Sequence, residues 1–342
     1  MVTRENDILN QAIDAFQKET NLHIELGPQQ HVRGDKEIDA ILRIDLHGKT
    51  TEYWAEIKTT VTNITVGQIA HQFEDNREKC LLITRYVQPQ LAKALRDLHI
   101  QFIDTVGNAY INYPPTFIFI HGNKPEPQAD ILPEEGILGR AGTQVIFALL
   151  CKRELCNAPY RDIAEQAQVA LGAVAKVMKD LAAQGFLVEL NDKQRRLVRR
   201  KELLDKWLNA YAEKLRPKKF IDRYKATKPD FWQQAEIERF DAQWGGEVAA
   251  YRLTRYLKPE IVTIYTRKPI HNLILNLKLR QDKNGDIELR ERFWKCENPE
   301  LDKTMVPPLL VYADLMATGE TRNIETAKQL YNDYLQRYID QD

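Results

Sequence analysis

The chain of 342 residues contains no serine. That absence excludes a serine nucleophile, and with it the Ser-His-acid hydrolases. Cysteine is scarce as well. The four are Cys80, Cys151, Cys156 and Cys296, with no C-x-x-C pair and no histidine at zinc-finger spacing. This pattern excludes a disulfide framework and a structural zinc site, and predicts reduced, mostly buried thiols, with Cys151 and Cys156 on a helix. No apolar run approaches the roughly 20 residues of a membrane span. The opening residues, MVTRENDILNQ, lack the apolar stretch of a secretory signal, so the expected location is the cytoplasm, with no membrane partner. A phosphate-binding glycine loop is missing too, because Gly245-Gly246 stands alone. The seven histidines are scattered, and none has a histidine partner four residues on.

The net charge is zero, but it is unevenly spread. Residues 1–139 carry a net −7, residues 140–225 a net +9 and residues 226–342 a net −2. A basic middle between acidic flanks is the electrostatic footprint of a nucleic-acid module carried inside a larger protein. The length calls for more than one core. The Pro- and acid-rich run GNKPEPQADILPEE reads as a linker, and a second break falls at Leu215-Arg216-Pro217-Lys218-Lys219. The expected layout is an α/β multidomain chain. It has an α/β domain over 1–122, a linker over 123–138, a DNA-binding domain over 139–216 and a C-terminal α/β domain over 217–342.

The basic middle predicts a winged helix-turn-helix. GTQVIFALLCKREL is the first helix and YRDIAEQA the second, with Ile163 and Ala164 inward. LGAVAKVMKDLAAQG is the third, with a core stripe of Val174, Val177, Met178 and Leu181 and with Gly185 ending it. FLVELNDKQRRLVRR forms the hairpin, turning at Asn191-Asp192, and KELLDKWLNAYAEKL a further helix with Leu204, Leu208, Tyr211 and Leu215 on one face. Small residues at the start of the third helix allow close approach to base edges. The candidate DNA-contacting residues are therefore Leu171, Gly172, Lys176 and Lys179 on the helix, and Lys193, Arg195, Arg196 and Arg199 on or beside the wing.

The first domain reads as a helix over Glu5 to Glu19, a strand in EIDAILRIDL, a returning strand in TEYWAEIKTTV, and a helix through QIAHQFEDNREK. A strand in CLLIT, a helix in QPQLAKALRDLH and further strands follow. Asp39 lies on the first strand, and Glu56 and Lys58 lie two apart on the second, so both point to one face. Two carboxylates on adjacent strands can hold Mg²⁺ beside a phosphate, and a lysine there can orient water. Gln68 and Gln72 on the following helix are candidate polar members, and Glu5 or Glu19 from the first helix a candidate third carboxylate. An ion pair of Asp39 with Lys58 in an edge hairpin is the plain structural alternative. In the C-terminal domain DFWQQAEIERF and WGGEVAAYRLTRYL read as helices, and EIVTIYT and NLILNLKLR as strands. KNGD reads as a hairpin turn into DIELRERFW, and PPLLVYADLMATG and NIETAKQLYNDYLQRYI as closing helices.

Two resemblances follow from these residues. The strand with Asp39 followed by Glu56-Ile57-Lys58 resembles the PD-(D/E)XK restriction-endonuclease-like fold, with Ile38 where that family often has proline. The runs LITRYVQPQLAKALRDLHIQFIDTVGNAYI, PYRDIAEQAQVALGAVAKVMKDLAAQGFL, WGGEVAAYRLTRYLKPEIVTIYT and VPPLLVYADLMATGETRNIETAKQLYNDYL resemble AbiEi-type antitoxins of type IV toxin–antitoxin, or abortive-infection, systems. The chain is a larger variant, since the better-known members lack a nuclease-like front end. The second resemblance implies a repressor that binds operator DNA of its own operon and counters a nucleotidyltransferase-like toxin without a need for stable contact. A regulator of this kind calls for no cofactor, and because one small module makes a limited interface, a dimer or repeated operators are expected to supply high affinity. The first resemblance leaves a Mg²⁺-dependent DNA endonuclease, targeted by the winged helix, as the enzymatic alternative. A pure protein-interaction module is the third.

Overall fold

A computed structural model describes residues 2–33, 36–46, 48–59, 61, 62, 66, 69, 78–125, 137–191, 194–295 and 302–340. The chain divides into two compact units, Met1–Leu132 and Pro133–Asp342. The architecture is mixed α/β in both.

The first unit opens with α1 (Val2–Thr20). Ile8, Leu9, Ala12, Ile13 and Phe16 recur at helical spacing, and all five are buried. Past its last turn, Asn21 takes a left-handed φ of 57° and Thr20 Oγ1 donates to the Phe16 carbonyl at 2.7 Å. Seven strands follow: β1 (Ile24–Arg33), β2 (Lys36–Leu46), β3 (Lys49–Lys58), β4 (Cys80–Thr84), β5 (Gln101–Asp104), β6 (Ala109–Tyr113) and β7 (Thr116–Ile120), with α2 (Pro89–Asp97) between β4 and β5. They lie side by side in chain order. β1, β2 and β3 are antiparallel, β3, β4 and β5 parallel, and β5, β6 and β7 antiparallel.

The face toward α1 is built from the alternate residues Ala40, Leu42 and Ile44 of β2, Tyr53, Ala55 and Ile57 of β3, and Leu81 and Ile83 of β4. β4 has parallel neighbours on both sides and is buried along its whole length, which is why CLLIT carries no alternation. β1 was not expected. It pairs with β2 through an irregularity between Leu26 and Gln29, at Gly27-Pro28, a pair that reads as a break rather than as a strand. The predicted helix over QIAHQFEDNREK lies mostly outside the described residues, as does the linker stretch 126–136.

The second unit starts with three helices, α3 (Arg140–Cys151), α4 (Tyr160–Ala167) and α5 (Leu171–Ala183), and a short 3-10 turn at Arg153–Asn157. A two-stranded antiparallel hairpin follows, β8 (Leu187–Asn191) with β9 (Gln194–Leu197). Then come α6 (Arg200–Ala210) and a π turn at Tyr211–Leu215. Cys156 sits in the 3-10 turn rather than on a helix; Cys80, Cys151 and Cys156 are free thiols, the first and last of them buried, and Cys296 lies outside the described residues.

The remaining strands, β10 (Phe220–Ala226), β11 (Gln243–Gly245), β12 (Val262–Thr266), β13 (Leu279–Gln281) and β14 (Ile287–Glu291), form a sheet in the order β11-β12-β14-β10-β13. It is packed by α7 (Gly246–Thr254), α9 (Pro308–Thr318) and α10 (Thr321–Leu330), with a short α8 at His271–Asn276. Pro308 to Met316 of α9 is buried at every position.

Within the second unit, which holds residues 139–216 and 217–342 alike, α6 touches the cores of both stretches. Trp207 donates its indole N–H to the Thr143 carbonyl at 2.8 Å and stacks on Phe147 and Tyr211. One turn later Tyr211 donates to Asp314 of α9 at 2.7 Å.

Three further expectations change. DFWQQAEIERF forms two 3-10 turns, Phe231–Gln233 and Glu238–Phe240, because its buried anchors Trp232 and Ile237 are five apart. NLILNLKLR splits into α8 and β13, with Leu275 exposed. The KNGD turn does not join paired strands, since β10 lies between β13 and β14. The turn passes over Tyr224, where a Cβ on Gly285 would lie 2.1 Å from the Tyr224 carbonyl oxygen.

A buried ionic cluster ties the sheet together. Glu288 accepts from Arg223 at 2.5 Å and Arg290 at 2.6 Å. Asp314 accepts from Tyr265 and, at 3.1 Å, from Arg216. Burial works against the charge on Glu288, but Arg290 and Arg216 overcome it and hold the carboxyl below its ordinary range. A depressed pKa contributes stability that is present above the unfolded value and lost as pH falls through the folded one. Glu288→Gln should therefore cost about 3 kcal/mol at pH 7, as for a broken buried pair. The deficit should shrink once pH falls below the ordinary glutamate value of about 4.3. Urea unfolding of both proteins at pH 7 and pH 3.5 checks this; a deficit that does not change with pH would contradict it.

Candidate nucleic-acid interface

The sequence places α5 and its hairpin on the surface for simple reasons. Val174, Val177, Met178 and Leu181 repeat at helical spacing and are buried, so the other side of α5 must face out. That outer side carries Leu171, Gly172, Ala175, Lys176 and Lys179, all exposed. Leu171 is 55% exposed, and a Cβ on Gly172 would meet nothing within 4 Å, so the helix start is open to close approach. Gln168, at a φ of 53°, turns the chain between α4 and α5. Gly185, at a φ of 72°, ends α5 and sends the chain into β8. Lys176 and Lys179 pair with no carboxylate among the described residues.

The four expected wing cations fare differently. Arg196 is exposed on β9 opposite Val188. Lys193 lies outside the described residues. Arg195 is half-buried and turned inward. Its amide donates to Asn157 Oδ1 at 2.6 Å, its guanidinium donates to the Ala158 carbonyl at 3.1 Å, and the group lies over the Tyr160 ring. Arg199 takes a left-handed φ of 51° at the start of α6. It pairs with Glu202, donates to the Gln184 carbonyl at 3.2 Å and covers Phe186. Both arginines hold the hairpin to the helices, a role a charge count cannot reveal.

Sequence reasoning missed a cleft of about 650 Å³ beside α5. Arg140 at the start of α3, Lys176, Lys218 and Lys219 line it, with Asp180 and Glu291 as the opposing charges. Lys219 pairs with Glu291 at 3.5 Å. The Pro-Lys-Lys signal was present at residues 217–219, but as a domain break rather than as a surface that returns to α5.

In the first unit, Ala40 faces Ala55 across the β2–β3 ladder, which puts Asp39 beside Glu56. Asp39, Glu56 and Lys58 all alternate away from α1, so the structure brings the three together. Asp39 Oδ2 accepts the Ile57 amide at 2.7 Å, and Lys58 Nζ donates to Glu56 Oε1 at 2.5 Å. Lys58 thus pairs with Glu56, not with Asp39 as the plain structural alternative had it. Glu56 is 6% exposed. Gln68 and Gln72 lie outside the described residues, and Glu5 and Glu19 ride on α1, on the opposite face of the sheet. The nearby Asp104 is not part of this set. Burial pushes its carboxyl up, and it is held by the amides of Val87, Val106 and Asn108 and by the Asn108 side chain. Among the described residues no group of three or more His, Cys, Asp or Glu is placed to hold a metal.

A helical module with a basic outer face, continuous with a mixed α/β core, is the class that the second unit defines. Residues 196–339 match the model of a family described as transcriptional regulator, AbiEi antitoxin, type IV toxin–antitoxin system. The match runs from β9 through α10 to residue 339. No curated protein and no solved structure matches the chain. Among the described residues no helix is long and apolar enough to cross a membrane.

Arg195 gives a direct check on the inward reading. Arg195→Ala should lower stability by about 1–2 kcal/mol through the lost carbonyl bond and ring contact. The hairpin amides of β8 and β9 should then exchange faster with solvent. Unchanged exchange and stability, with DNA affinity alone reduced, would contradict it.

Proposed function

We propose that this protein is a DNA-binding transcriptional repressor and the antitoxin of a type IV toxin–antitoxin system, acting on its own operon. The observation that carries the reading is the exposed face of α5. It is small and apolar at its start and lysine-bearing beyond, next to a two-stranded hairpin, in a unit whose residues 196–339 match the AbiEi antitoxin model. The order α3, α4, α5, β8, β9 supports a winged helix-turn-helix. In that arrangement α5 enters the major groove and the hairpin flanks it. Leu171 and Gly172 would approach base edges, while Lys176, Lys179, Arg196 and Lys193 would meet phosphates. One such module makes a small interface, so a dimer or repeated operators would supply high affinity. The partner countered would be a nucleotidyltransferase-like toxin, and operator occupancy requires no lasting contact with it.

The salt dependence of binding to the chain's own upstream duplex tests the reading. Each lost phosphate contact lowers the slope of log K against log salt by about 0.9. The double variant Lys176→Ala, Lys179→Ala should flatten the slope by nearly 2 and weaken binding about tenfold or more at moderate salt. A wild-type affinity that does not respond to salt would sink the reading.

A second reading is favoured by one observation, the shared face of Asp39, Glu56 and Lys58. The strand order of the first unit, with three antiparallel strands and then a parallel one, supports a restriction-endonuclease-like fold. Asp39 and Glu56 would hold Mg²⁺ between them, which Mg²⁺ sites of one or two carboxylates plus water permit. Bound there, the ion would neutralise charge on a scissile phosphate. Lys58, already on Glu56, would orient the attacking water. If the unit is a nuclease, Glu56→Gln and Lys58→Ala should each reduce Mg²⁺-dependent cleavage of duplex DNA at least a hundredfold without changing DNA affinity. Equal cleavage by wild type and both variants would refute it.

A further inference from the structure

The cleft of about 650 Å³ beside α5 lies between the helical module and the C-terminal core. One wall is Ala170 and, along α5, Ala173, Lys176, Val177 and Asp180, which share a side because they recur three and four residues apart. The start of α3 and the turn at Arg216–Lys219 close the rest. Arg140, Lys176 and Lys218 line the cleft, are exposed, and make no ion pair or side-chain hydrogen bond among the described residues. Lys219 is neutralised by Glu291, so three free cations face one free carboxylate, that of Asp180. The start of α3 adds to them. Gly139 supplies no side-chain cap, and the first helical bond runs from the Thr143 amide to the Gly139 carbonyl. The amides of Arg140, Ala141 and Gly142 are therefore left over at the positive end of the helix, and all three residues line the cleft.

A guanidinium, two ammonium groups and an open helix start on one concave surface form the donor set that phosphoryl oxygens take, arginine as a fork and lysine as a point charge. A cleft lined mainly by one sign of charge also concentrates the opposite ion. The volume falls within the roughly 300–1,000 Å³ of small-molecule sites, which leaves room for more than a bare phosphate. The apolar part of the wall is aliphatic, with Ile137, Val169, Val177 and Leu215, and no aromatic ring among the described lining residues is there to stack a base. Gln168 and Asp180 each bring an uncommitted side chain that can bond hydroxyl groups. Together these features select a phosphate carried on a hydroxylated, non-aromatic body.

We propose that this cleft binds a sugar phosphate, either as a free small molecule or as part of a nucleic-acid backbone. The site rests on the residues of the cleft and stands whether or not α5 reads an operator. Lys176 belongs both to the cleft wall and to the outward face of α5, so an occupant of the cleft engages a cation of that face.

The test uses the full chain and ribose 5-phosphate, titrated by calorimetry at constant ionic strength. Wild type should bind it saturably, and more tightly than ribose or inorganic phosphate, each of which fills only part of the cleft. Lys218→Ala should weaken that binding about tenfold, the loss expected for one charge-assisted bond, and Lys218→Arg should restore most of it. Lys225→Ala removes an exposed lysine of β10 that does not line the cleft, and should leave the affinity unchanged. Duplex binding by the same variants separates the sources. The backbone is the ligand if Lys218→Ala weakens binding of the upstream duplex as much as binding of ribose 5-phosphate. A free sugar phosphate is the ligand if Lys218→Ala leaves duplex affinity unchanged. Absence of saturable ribose 5-phosphate binding, wild-type affinity in Lys218→Ala, or equal weakening by Lys225→Ala overturns the proposal. Failure to bind duplex, with ribose 5-phosphate binding intact, would remove the repressor reading and leave the cleft.

Discussion

The indole of Trp207 lies between Phe147 of the helical module and Tyr211 of its own π turn, and donates its N–H to the Thr143 carbonyl. That contact joins the helical module to the C-terminal core. Phe147 and Trp294 pack edge to face, and Phe293 joins them from the end of the C-terminal sheet. From Tyr211 the chain of bonds continues through Asp314 to Tyr265 and Arg216, all deeply buried or nearly so. One helix thus anchors the basic helical face at one end and the mixed sheet at the other. The α5 face is carried by a full-sized core rather than by a small module on a tether. Lys295 on Glu165 and Gln144 on the Phe293 carbonyl add polar contacts across the same seam.

The parts of the fold with strong local periodicity were legible from the residues. YRDIAEQA and the Val174, Val177, Met178, Leu181 stripe fix α4 and α5 nearly to the residue, and Ile38 to Leu46 fixes β2. What was not legible is non-local. β13 pairs with β10, and Gly285 serves by clearing the Tyr224 backbone, so the Asn-Gly signal pointed to the wrong partner strand. Gly245 and Gly246 likewise have a packing reason. A Cβ on the first would strike the Tyr265 ring and on the second Thr263. The run at Leu215-Arg216-Pro217-Lys218-Lys219 looks solvent-facing in the sequence, but Arg216 is paired inside with Asp314 and Glu288.

The candidate site was legible in residue type but only partly in role. Positive charge in the middle region was correctly read as a concentration, yet the arginines divide their labour. Arg195 and Arg199 hold the hairpin, Lys176, Lys179 and Arg196 face outward, and Arg153 and Arg200 turn toward a cavity. A sequence reports charge; only packing reports which charges are already used. The same holds in the first unit, where Asp39 lends an oxygen to the Ile57 amide and Glu56 one to Lys58. The three residues share a face, as their spacing required.

The central claim is that the second unit binds duplex DNA and leaves it whole. The most direct measurement incubates the purified chain with its upstream duplex in EDTA, in Mg²⁺ and in Mn²⁺, and divides each reaction between a native and a denaturing gel. The account predicts a salt-sensitive shift with uncut strands under all three conditions. Metal-dependent cutting, abolished when Lys58 is replaced by alanine, would contradict it and make the first unit the functional centre.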